Sequence, residues 1–216
     1  PPYDAAQLLA FFAARQITAV EAADTRVLRR TARLSCGNAE HAGWLEATFE
    51  PARSRVALTV SDSLLPVLPQ VIGRVRAMLD LDADPAAIAT VLHGDFPEGD
   101  GLRVPGCFDG FELAVRAVLG QQVTVAAART LVQRLVERFG TPIETPWPGL
   151  NRIFPAAAAL AAAEGAALGQ LGIVRQRQAA IVALARAVDS GQLALHAHAD
   201  VEATTVALCQ LPGIGD

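Results

Sequence analysis

The chain has 216 residues, 52% hydrophobic and 19% charged, with 18 basic side chains against 22 acidic ones for a net charge of −4. That length suits one large or two modest domains, each able to bury a core, and the acidic balance excludes DNA binding through a broad cationic face. The longest apolar-looking run, Phe154 to Ala163, is Ala-rich and interrupted by Pro155, well below the ~20 apolar residues of a membrane span.

Residues 4–15 (DAAQLLAFFAAR) place Leu8, Leu9, Phe11 and Phe12 on a helical period behind Asp4 as N-cap, which predicts a first helix. Three strands are expected next, at 24–34, 43–50 and 54–60, where apolar and polar residues partly alternate, with PAR at 51–53 as a hairpin turn. Leu64 to Leu81 reads as helix once past Pro66 and Pro69, with Val71, Val75, Met78 and Leu79 on one face. Residues 1–82 are therefore expected to form a small α+β unit with an antiparallel sheet.

From Asp84 the pattern changes to helices joined by short Gly/Pro breaks, at about 84–93, 109–119, 124–139, 156–163, 166–171, 175–188 and 200–210. Residues 83–216 read as a second, all-α domain, with loops at 94–106 and 140–149. The fold class is α+β, an antiparallel-sheet domain followed by a helical one. An N-terminus that opens PPYDAAQ lacks the basic and apolar regions of a secretory leader, so the expected location is the cytoplasm, with no membrane partner.

Cys36, Cys107 and Cys209 are odd in number and far apart, which argues against a disulfide framework or a CxxC knuckle and for reduced, buried thiols. His41, His93, His196 and His198 form no zinc signature, and HAH at 196–198 reads as a solvated loop. Charge is uneven along the chain. Residues 1–82 carry nine Arg and nine acids and residues 83–216 nine and thirteen, so the whole deficit lies in the second part, yet Arg103, Arg116, Arg129, Arg134 and Arg138 face only Asp109, Glu112 and Glu137 within 103–140. A protein gripping phosphates through main-chain amides and a small basic patch has this distribution, and its affinity is salt-sensitive.

Local physics becomes specific between Gly101 and Gly140. Phe111, Val115, Val118 and Leu119 mark one apolar helix face ending at Gly120; Thr124 caps a second helix that is expected to bury Leu131, Leu135, Val136 and Phe139. At the joint stand Gln121, Gln122 and Val123. Adjacent flat amides at such a tip suit filling a gap in a base stack, and they equally suit a solvated turn. Near the end, an amphipathic segment from Asp200 to Gln210 runs into LPGIGD. Pro212 cannot continue a helix, and Gly213 and Gly215 allow a tight bend whose bare amides can approach a phosphate, although an ordinary glycine-terminated helix has the same look.

Read together, PPYD at the start, GLRVPGCFDGFE, RAVLGQQVTVAAA, LGIVRQRQAAIVALA and LPGIG resemble the DNA-3-methyladenine glycosylase II branch of the helix-hairpin-helix glycosylase superfamily. The resemblance spans nearly the whole chain in order. It implies base-excision repair by hydrolysis of the N-glycosidic bond of alkylated bases such as 3-methyladenine, with double-stranded DNA as partner and the protein a monomer. It implies that Gln122 wedges into the vacated stack beside Gln121, that Thr124 joins them at the DNA, and that Gly213 and Gly215 hold the backbone. Phe11 matches an aromatic at the edge of the base pocket, a role that competes with plain core packing. No cofactor is required, and the hairpin is expected to take Na+ or K+ on the main-chain carbonyls of Cys209, Leu211 and Ile214.

The resemblance also supplies a catalytic Asp, about twenty residues past the hairpin, to stabilise an oxocarbenium-like sugar. No residue of the chain fills that place, Asp216 lying within the hairpin, so residues 1–216 alone are expected to be inert. Two alternatives stand beside this reading. A glycosylase-lyase needs a nucleophilic Lys, and every basic residue here is Arg; a non-catalytic DNA-binding or alkylation-response module would bind lesions without excising bases.

Overall fold

The computed structural model describes residues 2–215. Its contacts divide the chain into two units, the first ending at Phe108 and taking back Ile143–Asn151, the second comprising Asp109–Pro142 and the chain from Arg152 on. The expected boundary at 82/83 falls too early. Arg74 donates to the Phe108 carbonyl at 3.2 Å, and the Gly106 N–H donates to that of Met78 at 3.0 Å, so residues after 82 stay bound to the first unit.

In the first unit, α1 (Ala5–Arg15) is capped by Asp4, whose carboxylate accepts from the Gln7 N–H at 2.9 Å. A four-stranded antiparallel meander follows: β1 (Glu21–Ala23), β2 (Val27–Cys36), β3 (Ala39–Glu50) and β4 (Arg55–Val60). The short β1, missed from sequence, is an edge of three residues, too brief for alternation to register. PAR at 51–53 forms a 3-10 turn closed by Ser54 in the left-handed region, φ +47°. Another 3-10 turn, Asp62–Val67, leads into α2 (Leu68–Met78), and Val71, Val75, Met78 and Leu79 are buried as the periodicity required.

Leu8 and Leu9 from α1 join alternate sheet residues such as Leu45, Ala47 and Phe49 in this core. Phe11 does not join it. α3 (Pro85–Leu92) follows, capped by Asp84 and burying none of its residues. The returning segment docks through Trp147, edge-on to Trp44 at 5.0 Å between ring centroids, and through the Asn151 N–H on the Ala19 carbonyl at 3.1 Å. A loop at 140–149 is therefore only part of the description: it is ordered by these contacts.

The second unit is helical apart from a two-stranded ribbon, β5 (Thr141–Pro142) with β6 (Arg152–Ile153). Its helices are α4 (Gly110–Gly120), α5 (Val125–Phe139), α6 (Ala157–Ala161), α7 (Gly165–Gly169), α8 (Arg175–Asp189) and α9 (Val201–Cys209). α4 buries the four apolar residues expected of it. On α5 the buried set is Val132, Leu135 and Val136; Leu131 and Phe139 are only half-buried, so the inward stripe is rotated from the expected one. Ile181 and Leu184 of α8 complete the core with Leu160 and Leu168.

The thiols are not buried as a group: Cys36 and Cys209 are exposed and Cys107 is intermediate. Cys36 ends a strand and Cys209 ends α9, places where the main chain turns outward. His196 and His198 are exposed in the turn before α9. Among the described residues no cluster of His, Cys, Asp or Glu could hold a metal ion, and no helix is long and apolar enough to cross a membrane.

Candidate nucleic-acid interface

The joint between α4 and α5 is built by its own ends. Asp109 caps α4 by accepting from the Glu112 N–H at 2.9 Å, and Thr124 caps α5 by accepting from the Ala127 N–H at 3.2 Å. Thr124 thus spends an acceptor lone pair on the helix and keeps its O–H as a donor. Gln121 and Gln122 are exposed between the caps. Gln122 has φ +54°, a conformation that costs a non-glycine residue ~1 kcal/mol or more. The tip is therefore held in shape by contacts, not by local preference.

Those contacts come from two other elements of the same unit. The side-chain amide of Gln121 donates to the Gly213 carbonyl at 3.3 Å. Its main-chain carbonyl accepts from the Arg177 guanidinium on the first turn of α8. Gln121 therefore bridges the joint and the glycine bend while remaining exposed in its turn.

The bend itself follows from its sequence. α9, capped by Asp200 on the Ala203 N–H at 2.7 Å, ends at Cys209. The Ile214 N–H then donates to the Leu211 carbonyl at 3.2 Å across Pro212 and Gly213, the latter at φ +77°. Proline second and a left-handed glycine third is the chemistry of a type II turn. Gly213 rests on α8: a Cβ there would lie 3.4 Å from the Ala180 Cβ and 3.6 Å from the Gln176 carbonyl. Gly215 follows with open space around it. The amphipathic reading of 200–210 fails, since α9 buries no residue and Val201 and Val206 are exposed.

Main-chain oxygen is concentrated at this bend. Cys209 closes α9, where terminal carbonyls lack intrahelical donors and carry the negative end of the helix dipole. The Leu211 carbonyl has one lone pair engaged by Ile214, and that of Gly213 is engaged by Gln121. Neutral oxygens at a helix C-terminus fit a hard monovalent cation. The exposed Cys209 thiol is unsuited to one.

Of the expected site residues, Gln121, Gln122, Thr124, Gly213 and the ion-binding carbonyls lie in the second unit, with the first and fourth in direct contact. Phe11 lies in the first unit, 37% exposed on α1, edge-on to Phe12 at 5.8 Å. The Arg15 guanidinium stacks on its ring at 3.8 Å from the centroid, so a cation already occupies one face. Asp216 lies outside the described residues. Sequence reasoning gave Arg177 no role. Its signal was available: Arg175 and Arg177 occupy the first turn of α8, where no acid stands and where the helix dipole disfavours cations.

Burial pushes the Tyr3 phenol up to about 12, with the nearby Arg103 opposing and Asp80 adding to the rise. Hydrogen bonds from Arg55 hold the Glu50 carboxyl below its ordinary value.

Comparison with known proteins shows the family. Residues 1–109 match the AlkA N-terminal domain and residues 115–209 the HhH-GPD superfamily of base excision DNA repair proteins. DNA-3-methyladenine glycosylase 2 of Escherichia coli (strain K12) is 35% identical over 215 residues, covering all of this chain and 74% of the relative. A probable bifunctional transcriptional activator/DNA repair enzyme AlkA of Mycobacterium tuberculosis (strain CDC 1551 / Oshkosh) is 36% identical over 193 residues, covering 87% of this chain and 37% of its own length. Among solved structures, a 3-methyladenine DNA-glycosylase from Archaeoglobus fulgidus superposes with a TM-score of 0.78 at 21% identity, over 99% of this chain and 72% of that one. At that identity the superposition speaks for the fold alone.

Proposed function

Because the chain belongs to the HhH-GPD superfamily of base excision DNA repair proteins and carries an AlkA N-terminal domain, we propose that it serves a DNA glycosylase that removes alkylated bases such as 3-methyladenine from double-stranded DNA. The observation that carries this is the hydrogen bond from Gln121 to Gly213, at 3.3 Å. It sets an amide-tipped joint beside a glycine bend, so both can meet one duplex. The bend's main-chain amides grip a phosphate without reading sequence, and Gln122 enters the stack left by the displaced nucleotide.

The chemistry suits the lesion. Alkylated purines are cationic and leave readily, so hydrolysis needs little acid catalysis and chiefly a carboxylate to stabilise the sugar cation. We assign that carboxylate to no residue among 2–215. Na+ or K+ on the carbonyls of Cys209, Leu211 and Ile214 would add positive charge beside the bound phosphate. The protein acts as a cytoplasmic monomer and needs no other cofactor.

The test is binding and excision measured together. The protein should bind a duplex containing an abasic-site analogue at least tenfold more tightly than the intact duplex, and should release 3-methyladenine from methylated DNA. Equal affinity for both duplexes would contradict the proposal. Tight lesion binding with no base release would favour a non-catalytic module.

A further inference from the structure

We infer that Arg177 is a positioning residue that sets the shape of the Gln122 tip by holding the Gln121 main chain, an assignment resting on the DNA-distorting role proposed above. Gln122 sits in the left-handed region at φ +54° without glycine's freedom. The preceding peptide is fastened at both ends of its residue: the Gln121 carbonyl accepts from Arg177, and the Gln121 side chain donates to the Gly213 carbonyl at 3.3 Å. The peptide plane before Gln122 is held through its carbonyl and the chain after it by the Thr124 cap on α5, so the φ between them has little room to relax.

The platform for both fastenings is the start of α8. Arg177 reaches the joint from the first turn, while Gln176 and Ala180 lie beneath Gly213. Joint and bend are thereby indexed to one helix. A residue that wedges into a base stack must be held before it arrives, because a tip free to relax into the ordinary helical or extended region would yield instead of the stack. Arg177 also stands against the α8 dipole, which disfavours a cation in the first turn. A phosphate contact is the rival use, and it differs measurably: it contributes about one unit to the salt dependence of binding, whereas a bond to the protein's own carbonyl contributes none.

The experiment uses a duplex with 2-aminopurine beside an abasic analogue, whose fluorescence rises when the tip unstacks it, read at saturating protein and over a salt series. Arg177→Ala and Arg177→Met are compared with the unmodified chain, the second keeping the apolar stem and removing only the donors. Both variants should show at least a twofold smaller rise with an unchanged slope of log affinity against log salt, and Arg177→Lys, which restores a donor, should recover part of the rise. A full rise in both Ala and Met variants overturns the inference, as does a full rise in the Met variant alone, which would make packing the cause. A slope reduced by about one unit assigns Arg177 to a phosphate and also overturns it. No rise with the unmodified chain sinks the DNA-distorting role itself, and the inference with it.

Discussion

Gly213 and Gly191 form a matched pair for separating fold from function. Both lie in the second unit with nearly equal φ, +77° and +75°. A Cβ at Gly191 would meet nothing within 4 Å, and one at Gly213 would make ordinary contacts at 3.4 to 3.6 Å. Gly→Ala at either place therefore costs the left-handed penalty of ~1–2 kcal/mol, less ~0.4–1 kcal/mol recovered from a stiffer unfolded chain, a net destabilisation of about 1 kcal/mol. For a chain of this size that lowers Tm by ~2–4 °C. Only Gly213 carries the Gln121 tether and the amides assigned to phosphate. Loss of one hydrogen bond to a charged group is worth ~1.5–3 kcal/mol, or ~10–100-fold in Kd. Thermal melts and fluorescence anisotropy on an abasic-analogue duplex read the two effects separately. Gly213→Ala should lose at least tenfold in affinity, and Gly191→Ala should lose the same Tm with Kd within twofold. Equal Kd values for the two variants would refute the reasoning.

Thr124→Ala removes the cap on α5 and should cost about 1 kcal/mol in urea unfolding, with no change expected only if the Ala127 N–H finds another acceptor. Tyr3 is the single tyrosine, so tyrosinate absorbance isolates it: the folded protein should titrate near 12 instead of the ordinary 10.0. Its contribution to stability is then complete below pH 10 and lost as pH rises towards 12, because the unfolded phenol ionises first; a folded-state midpoint near 10 would contradict the burial argument. Exchanging Na+ and K+ for tetramethylammonium at constant ionic strength should weaken lesion binding several-fold, and unchanged affinity would remove the carbonyl ion site.

Much of this architecture was legible because apolar spacing and capping agreed. Asp4, Asp84, Asp109, Thr124 and Asp200 all act as N-caps, and the buried faces of α2 and α4 fell where the 3.6 period put them. The failures have local causes. β1 and the β5–β6 ribbon are too short to carry a period, and the division at Phe108 depends on Gly106 and Phe108 contacting residues some thirty positions earlier. At the site, the glycines and glutamines announced flexibility and polarity but not each other. The Gln121 bond to Gly213 spans 92 residues of sequence, and Arg177 reaches a main-chain oxygen, a partner that no residue pattern encodes.

Hydrogen–deuterium exchange with and without an abasic-analogue duplex tests the central claim most directly, namely that joint and bend engage the same DNA. Binding should slow exchange at the amides of 121–124 and of 213–215 together, with the same dependence on duplex concentration. Protection at one of these segments while the other exchanges as in the free protein would contradict the account.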